Sequence, residues 1–246
     1  MNGSDPRHDD AALVTIAAAT VAEAAVAALR AAADERDLAQ EVRGIDSLPE
    51  REIQPMLATG FEAAGLHPLR EVRFPSRAGE PVRSVGTRCD FVLRTSDAPL
   101  DLGDEIDAED DEPDEGPGLF AELDPEPLDA SGVSSVMDPE SAFWLEVKTG
   151  AACRDLGDAG DLTTLPKRTT IDLARLAHAP GVRHAAVLVV AFGPDEATLA
   201  HDAHALDRHA AEQGLPALGA VVRTFPLTDR HGNAAGLVAL IPVGRA

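Results

Sequence analysis

A glutamate and a lysine stand two positions apart inside the apolar segment AFWLEVKTG, residues 142–150. They are Glu146 and Lys148, and Lys148 is one of only two lysines in a chain of 246 residues, with Lys167 the other. Alternate residues of a β-strand share a face and lie about 7 Å apart. The segment therefore predicts a strand that holds a carboxylate and an ammonium group side by side.

This pair has the right chemistry for a metal site. Hard divalent cations such as Mg²⁺ bind carboxylate and backbone carbonyl oxygens. The carbonyl of Val147, between the two charged residues, is placed to act as a ligand beside Glu146. The alternative is that Glu146 and Lys148 form only a structural salt bridge on a partly solvated strand.

A second carboxylate, Asp90, lies in the apolar segment RCDFVL, residues 88–93. Aspartate is disfavoured inside strands, and burying it without a partner costs free energy. This strand and the strand of Glu146 follow each other along the chain, so we expect an antiparallel hairpin that brings Asp90 next to Glu146. The alternative is that Asp90 pairs with Arg88 or Arg94, which alternation places on the same face.

The helix that begins EREI, residues 50–53, supplies further acidic candidates. Ser47 is a good N-cap, Pro49 suits the first turn, and Glu50 follows Ser47 by three residues, as in a capping box. Glu50 is therefore either a functional residue or only part of a helix cap, and Glu52 competes with it.

Asp90, the EVK of residues 146–148 and this helix start together resemble the PD-(D/E)xK nuclease superfamily, which has the restriction-endonuclease-like fold. The helix start is also similar to that of archaeal Holliday-junction resolvases, where the first glutamate belongs to the active site, which points to Glu50. The resemblance covers about residues 47–192. The chain departs from the family at Cys89, where proline is usual, and in a long acidic insertion.

The resemblance implies metal-assisted hydrolysis of phosphodiesters, in DNA in preference to RNA. Asp90, Glu146 and the Val147 carbonyl would bind Mg²⁺ or Mn²⁺, which polarises the scissile phosphate. Lys148 would position the attacking water and offset developing charge, and Glu50 would orient that water or bind a second metal. Nucleic acid is the implied partner, and a homodimer is compatible with cleavage of both strands.

Basic residues follow the strand of Lys148 along the chain. Lys167, Arg168 and Arg175 lie in the next helix, and we consider them as phosphate contacts. A solvated helix face is an equally good explanation for them.

The elements that must position these residues follow from hydrophobic periodicity and from glycine and proline punctuation. Helices are predicted at residues 10–42, 47–64, 165–179 and 195–213, and strands at 69–75, 82–94, 142–149, 183–192, 217–225 and 235–243. This order predicts an α/β fold with a mixed central sheet flanked by helices. We divide the chain into an Ala-rich helical segment, 1–46, and a nuclease-like domain, 47–246.

The formal charge of −22 argues at first against a nucleic-acid partner, because phosphates repel acidic proteins. Residues 97–129, however, contain fifteen Asp and Glu and no Lys or Arg, and the rest of the chain has 28 acidic and 21 basic residues. We expect a disordered insertion, 97–140, between the second and third strands. This segment could instead be the functional part of a catalytically silent module, which imitates DNA or binds a basic partner, or it could shield the site.

Composition also bears on location. Two cysteines, Cys89 and Cys153, do not make a disulfide framework, which favours the cytoplasm. The apolar run at residues 11–29 contains Glu23 and two threonines, so we expect a soluble helix there and no membrane partner.

Overall fold

The computed structural model describes residues 16–75, 88–102, 136–153 and 161–244. Within these residues the helices are α1 (Ala18–Leu38), α2 (Glu50–Ala63), α3 (Leu165–His178) and α4 (Glu196–Glu212). The strands are β1 (His67–Arg73), β2 (Arg88–Arg94), β3 (Phe143–Ala151), β4 (His184–Gly193), β5 (Val221–Pro226) and β6 (Ala235–Val243). The predicted order of helices and strands is confirmed.

The six strands form one open sheet in the order β1-β2-β3-β4-β6-β5. Strands β3 and β4 are parallel and are joined through α3, whereas the other neighbouring pairs are antiparallel. The predicted mixed α/β sheet and the β2–β3 hairpin are therefore confirmed. Most of the acidic insertion, at residues 103–135, lies outside the described residues.

The sheet is covered on both faces. Helices α1 and α2 pack on one face, where Leu29 and Phe61 join Leu145 and Leu240 of the sheet in one core. Helices α3 and α4 cover the other face in a second core, which includes Trp144. The boundary at residue 46 stays a prediction; α1 shares its core with α2 and with the sheet.

Some predicted boundaries were wrong. Helix α1 ends at Leu38 rather than at residue 42, and residues 10–15 of its predicted start lie outside the described part, as do residues 82–87 of the second strand. The capping box is also wrong, because α2 begins at Glu50 with Pro49 as its N-cap. The hydroxyl of Ser47 instead donates to the Gly44 carbonyl, in a short 3-10 turn.

No helix in the part of the chain that the structure describes is long and apolar enough to cross a bilayer.

Candidate active site

Strand β3 presents its two faces as alternation predicts. Leu145 and Val147 belong to the core under α1 and α2, whereas Trp144 belongs to the core under α3 and α4. Glu146 and Lys148 therefore lie on the α3 side of the sheet. Glu146 is only 2 % exposed, so its carboxylate is held in a dry environment.

Strands β2 and β3 run together for a short distance and then separate. They are paired from Phe91–Leu145 to Leu93–Phe143, and within the described residues the rest of β3 has no strand neighbour on that edge. Unpaired backbone groups must find other partners. Side-chain carboxylates accept hydrogen bonds from the N–H groups of three alternate residues of this edge. Asp90 accepts from the Val147 N–H at 2.7 Å, and Glu50 accepts from the Thr149 N–H at 3.1 Å. Asp161 accepts from the Ala151 N–H at 3.2 Å.

Cationic side chains satisfy the carbonyls along the same edge. The Lys148 ammonium donates to the carbonyl of Val147 at 2.7 Å, and the guanidinium of Arg168 donates to the carbonyl of Thr149 at 3.3 Å. Ionisable side chains thus take the place of the missing strand.

Lys148 lies at the centre of this cluster. Its ammonium nitrogen is 3.0 Å from Asp172, 3.7 Å from Glu146 and 3.9 Å from Asp90. Burial disfavours the ammonium more than any other single effect. The carboxylates of Asp172, Asp90 and Glu50 together outweigh burial, so the pKa of Lys148 lies above its ordinary value.

Asp90 is held through both of its oxygens. Oδ2 accepts the Val147 N–H, and Oδ1 accepts the side-chain amide of Gln54 at 3.0 Å. The amide oxygen of Gln54 accepts from Arg70 at 3.2 Å, which directs the amide nitrogen toward Asp90. Asp90 is thus fixed by the sheet edge and by α2.

The alternative pairing of Asp90 with Arg88 or Arg94 is wrong. Arg88 donates to the carbonyl of Glu71, and Arg94 donates to the carbonyls of His67, Asp97 and Ala98. Strict alternation fails at this point of β2, because Cys89 and Val92 both enter the core under α3 and α4. Cys89 is fully buried, and burial raises the pKa of its thiol well above the usual range.

Glu146 is an unusual carboxylate. Burial, reinforced by the nearby charge of Asp90, raises its pKa from 4.5 to about 8, although Arg175 and Lys148 oppose the shift. Oε1 of Glu146 is buried and accepts no hydrogen bond, because Arg175, with a nitrogen 2.5 Å away, lies outside hydrogen-bonding geometry. The ion pair with Arg175 offsets only part of the cost of burying this carboxylate.

Glu50 joins the site from the first turn of α2. Its carboxylate bridges the Thr149 N–H and the guanidinium of Arg168, which is 3.1 Å away. Burial raises the pKa of Glu50 above its ordinary value, against the opposing charge of Lys148. Glu52, the competing candidate, is exposed on the same helix.

The residues expected to bind metal are suited to it. Asp90, Glu146 and the Val147 carbonyl all converge on one cation, the Lys148 ammonium, and all supply the hard oxygen donors that Mg²⁺ and Mn²⁺ prefer. Within the described residues, no three acidic, histidine or cysteine side chains are close enough to form a metal cluster by themselves. The donor set here is two carboxylates and a backbone carbonyl, whose present counter-charges are Lys148 and, at Oε1 of Glu146, Arg175.

The basic residues of α3 have different surroundings, and their contact with phosphates stays a prediction. Arg175 contacts Glu146 and Asp172 and lies over the ring of Phe74 at 5.7 Å. Arg168 pairs with Glu50 and lies 3.7 Å from Asp161. Both arginines thus belong to the ion-pair network of the site, and only Lys167 is exposed toward solvent.

Sequence reasoning missed Asp172 and Gln54, which are 5 % and 6 % exposed. A signal for both was present. Asp172 stands three residues after Thr169 and four before Leu176, so helical spacing places it on the buried face of α3. Gln54 likewise lies between the core residues Ile53 and Leu57 of α2. A polar residue on an otherwise apolar helix face is a reason to look for a partner in the sheet.

Comparisons with protein-family models, with curated proteins and with solved structures found no match for this chain.

Proposed function

We propose that this protein is a metal-dependent nuclease that hydrolyses phosphodiester bonds of nucleic acid, DNA in preference to RNA. One observation carries the proposal: Asp90, Glu146 and the Val147 carbonyl converge on the Lys148 ammonium where β2 and β3 separate. Two carboxylates and a carbonyl at one open strand edge can bind a metal ion, and a lysine beside them can stabilise charge in phosphodiester hydrolysis.

Each residue has a role that its surroundings support. Asp90, Glu146 and the Val147 carbonyl would hold Mg²⁺ or Mn²⁺, which supplies Lewis-acid chemistry at the scissile phosphate. Lys148, kept protonated by its carboxylate neighbours, orients the attacking water and offsets charge that develops on the phosphate. Glu50, bound to the Thr149 N–H, faces the same edge and accepts a proton from that water.

The order of elements supports a restriction-endonuclease-like core as part of the same proposal. It would comprise α2, the antiparallel strands β1 to β3, and α3 as the crossover to the parallel strand β4. In this arrangement α2 brings Glu50, β2 brings Asp90, and β3 brings Glu146 and Lys148.

The experiment is cleavage of supercoiled plasmid and of single-stranded DNA with Mg²⁺ or Mn²⁺. Wild type is compared with Asp90→Asn and Lys148→Ala, and Asp202→Asn, an exposed aspartate of α4, serves as the matched control. We expect loss of cleavage by at least about a hundredfold in the first two and none in the control. Circular dichroism checks that each variant folds.

Calorimetric titration of each protein with Mn²⁺ separates metal binding from turnover. Asp90→Asn should weaken binding, whereas Lys148→Ala should retain or strengthen it, because the ammonium competes for the same oxygens. If the protein neither cleaves DNA nor binds the metal, the proposal is wrong.

A second function is favoured by a different observation: the carboxylates of the site are already balanced by cations. Arg175 lies 2.5 Å from Glu146, Lys148 lies 3.0 Å from Asp172, and Arg168 lies 3.1 Å from Glu50. Such a network would also suit a catalytically silent interaction module with segment 97–129 as its functional part. Deletion of 97–129 distinguishes the alternatives: increased cleavage indicates a shield, whereas lost binding of a basic protein without any cleavage indicates the module.

A further inference from the structure

Three arginines lie together on the hairpin of β1 and β2, beside the candidate site. Arg73 and Arg88 stand directly opposite each other in the register of the two strands, and both are exposed. Arg70, also exposed, lies on the same hairpin. Like charges directly opposite on a strand pair are destabilising, so a bound anion would stabilise this arrangement.

The three side chains share one face of the sheet. Val72 and Cys89 belong to the core under α3 and α4, so alternation places their neighbours Arg73 and Arg88 on the opposite face, which is the α2 side. Arg70 is on that side as well, because it donates to Gln54 of α2, and the positive φ of Glu71 (54°) interrupts the alternation between Arg70 and Val72. We call Arg70, Arg73 and Arg88 the arginine strip.

The strip borders the site directly. Arg88 precedes Asp90 by two residues, which is about 7 Å along β2. Arg70 is linked to Asp90 through Gln54, whose amide donates to the Asp90 carboxylate. A chain of phosphates that passes over the strip would therefore approach the gap between β2 and β3 from the α2 side, where Gln54 and Glu50 reach it, whereas Glu146 and Lys148 reach it from the α3 side.

The strip also differs from the other arginines near the site in its charge balance. Arg168 and Arg175 are paired with carboxylates. Within the four described ranges, Arg88 donates only to a backbone carbonyl, that of Glu71, and Arg73 contacts no carboxylate. Glu71 is the one acidic residue between Arg70 and Arg73, so the strip carries a local positive excess on a protein of formal charge −22.

We propose that the arginine strip binds the phosphate backbone of the nucleic acid whose phosphodiester is cleaved at the site. This inference rests on the proposed function. It assigns the phosphate contacts to the β1–β2 hairpin instead of to α3. Contacts to phosphates position nucleic acid without reading bases, so the strip confers affinity without sequence preference. It also compensates locally for the repulsion that the acidic chain exerts on DNA.

The test measures binding without cleavage. Fluorescence anisotropy follows the full-length protein binding to labelled duplex and single-stranded DNA in EDTA at several salt concentrations. The double variant Arg73→Gln/Arg88→Gln is compared with a matched double variant, Arg30→Gln/Arg208→Gln, whose residues are exposed on α1 and α4.

We expect the strip variant to bind at least about tenfold more weakly, with a salt slope reduced by roughly two for the two lost contacts. The matched variant should stay within about twofold of wild type. Glu71→Gln should bind about two- to threefold more tightly, a gain that misfolding does not imitate.

Equal losses in the strip variant and the matched variant would overturn the inference, since net charge alone would explain them. So would a wild-type protein that binds mixed phosphatidylcholine and phosphatidylserine vesicles but neither form of DNA. If the strip substitutions leave DNA binding unchanged and cleavage persists, the inference about the strip is wrong and the proposed nuclease activity stands. If DNA binding depends on the strip but the protein cleaves no DNA, the strip is a binding surface and the proposed nuclease activity is wrong.

Discussion

The carboxylate of Asp172 on α3 lies 3.0 Å from the ammonium nitrogen of Lys148 on β3, closer than that of either expected metal ligand. Its second oxygen lies 2.8 Å from Arg175 one turn later on the same helix. Asp172 thereby holds the lysine against the open edge of β3 and makes the position of the ammonium depend on the packing of α3.

Asp172→Asn should lower the pKa of Lys148 and reduce cleavage by about tenfold at neutral pH. The pKa falls because the carboxylate that stabilises the ammonium is gone while burial remains. Because the chain has only two lysines, NMR of selectively labelled lysine resolves the titration, with Lys148→Arg to assign the signals.

Asp202→Asn is the matched control for this change, since Asp202 is exposed on α4. An Asp172→Asn protein in which Lys148 titrates as in wild type would show that the contact does not set the charge state of the lysine.

Glu146→Gln should stabilise the metal-free protein at alkaline pH while abolishing cleavage. The carboxyl of Glu146 has its pKa raised to about 8, so the folded protein holds this proton more tightly than the unfolded chain does. The free energy of unfolding of wild type therefore falls as pH rises from about 4.5 to about 8 and then levels off. The glutamine, which never ionises, does not incur this loss.

Urea unfolding in EDTA between pH 5 and pH 9 measures this effect, as the difference in the free energy of unfolding between the variant and wild type. We expect that difference to grow by about 1–3 kcal/mol in favour of Glu146→Gln. A difference that stays constant over this range would mean that Glu146 titrates normally.

Glu50→Gln should lower cleavage at least about tenfold, whereas Glu52→Gln should leave it unchanged. Glutamine at position 50 can still accept the Thr149 N–H, but it cannot accept a proton from water. Plasmid cleavage under identical conditions compares two neighbouring glutamates of one helix, of which only Glu50 reaches the site. Equal activities of the two variants would reduce Glu50 to a structural role.

Gln54→Ala should weaken Mn²⁺ binding by about tenfold with little change in fold, because Asp90 loses the group that orients its Oδ1. Calorimetric titration provides the affinity, and Gln213→Ala, an exposed glutamine after α4, provides the control. Rescue by Gln54→Asn is not expected, since the shorter side chain does not span the same distance. Unchanged affinity in Gln54→Ala would show that the Val147 N–H alone holds Asp90.

Local sequence patterns were sufficient for the order of the elements. Apolar periodicity in β4 and β6 and the glycine and proline residues at element ends depend on neighbours within a few residues, which is why they can be interpreted without the fold. Helix ends were less predictable. Ser47 satisfied the pattern for a cap, yet its hydroxyl found a carbonyl three residues earlier and Pro49 took the cap position.

By itself, the sequence determined that Glu146 and Lys148 share one face of a strand and that Asp90 belongs to the adjacent strand, because alternation and chain order are local properties. Only the tertiary structure decided where β2 leaves β3, and hence which backbone groups Asp90 and Glu50 must satisfy. It also decided that Asp172 and Arg175 join the site. Those contacts depend on how α2 and α3 pack on opposite faces of the sheet, which is set by the whole core rather than by any short segment.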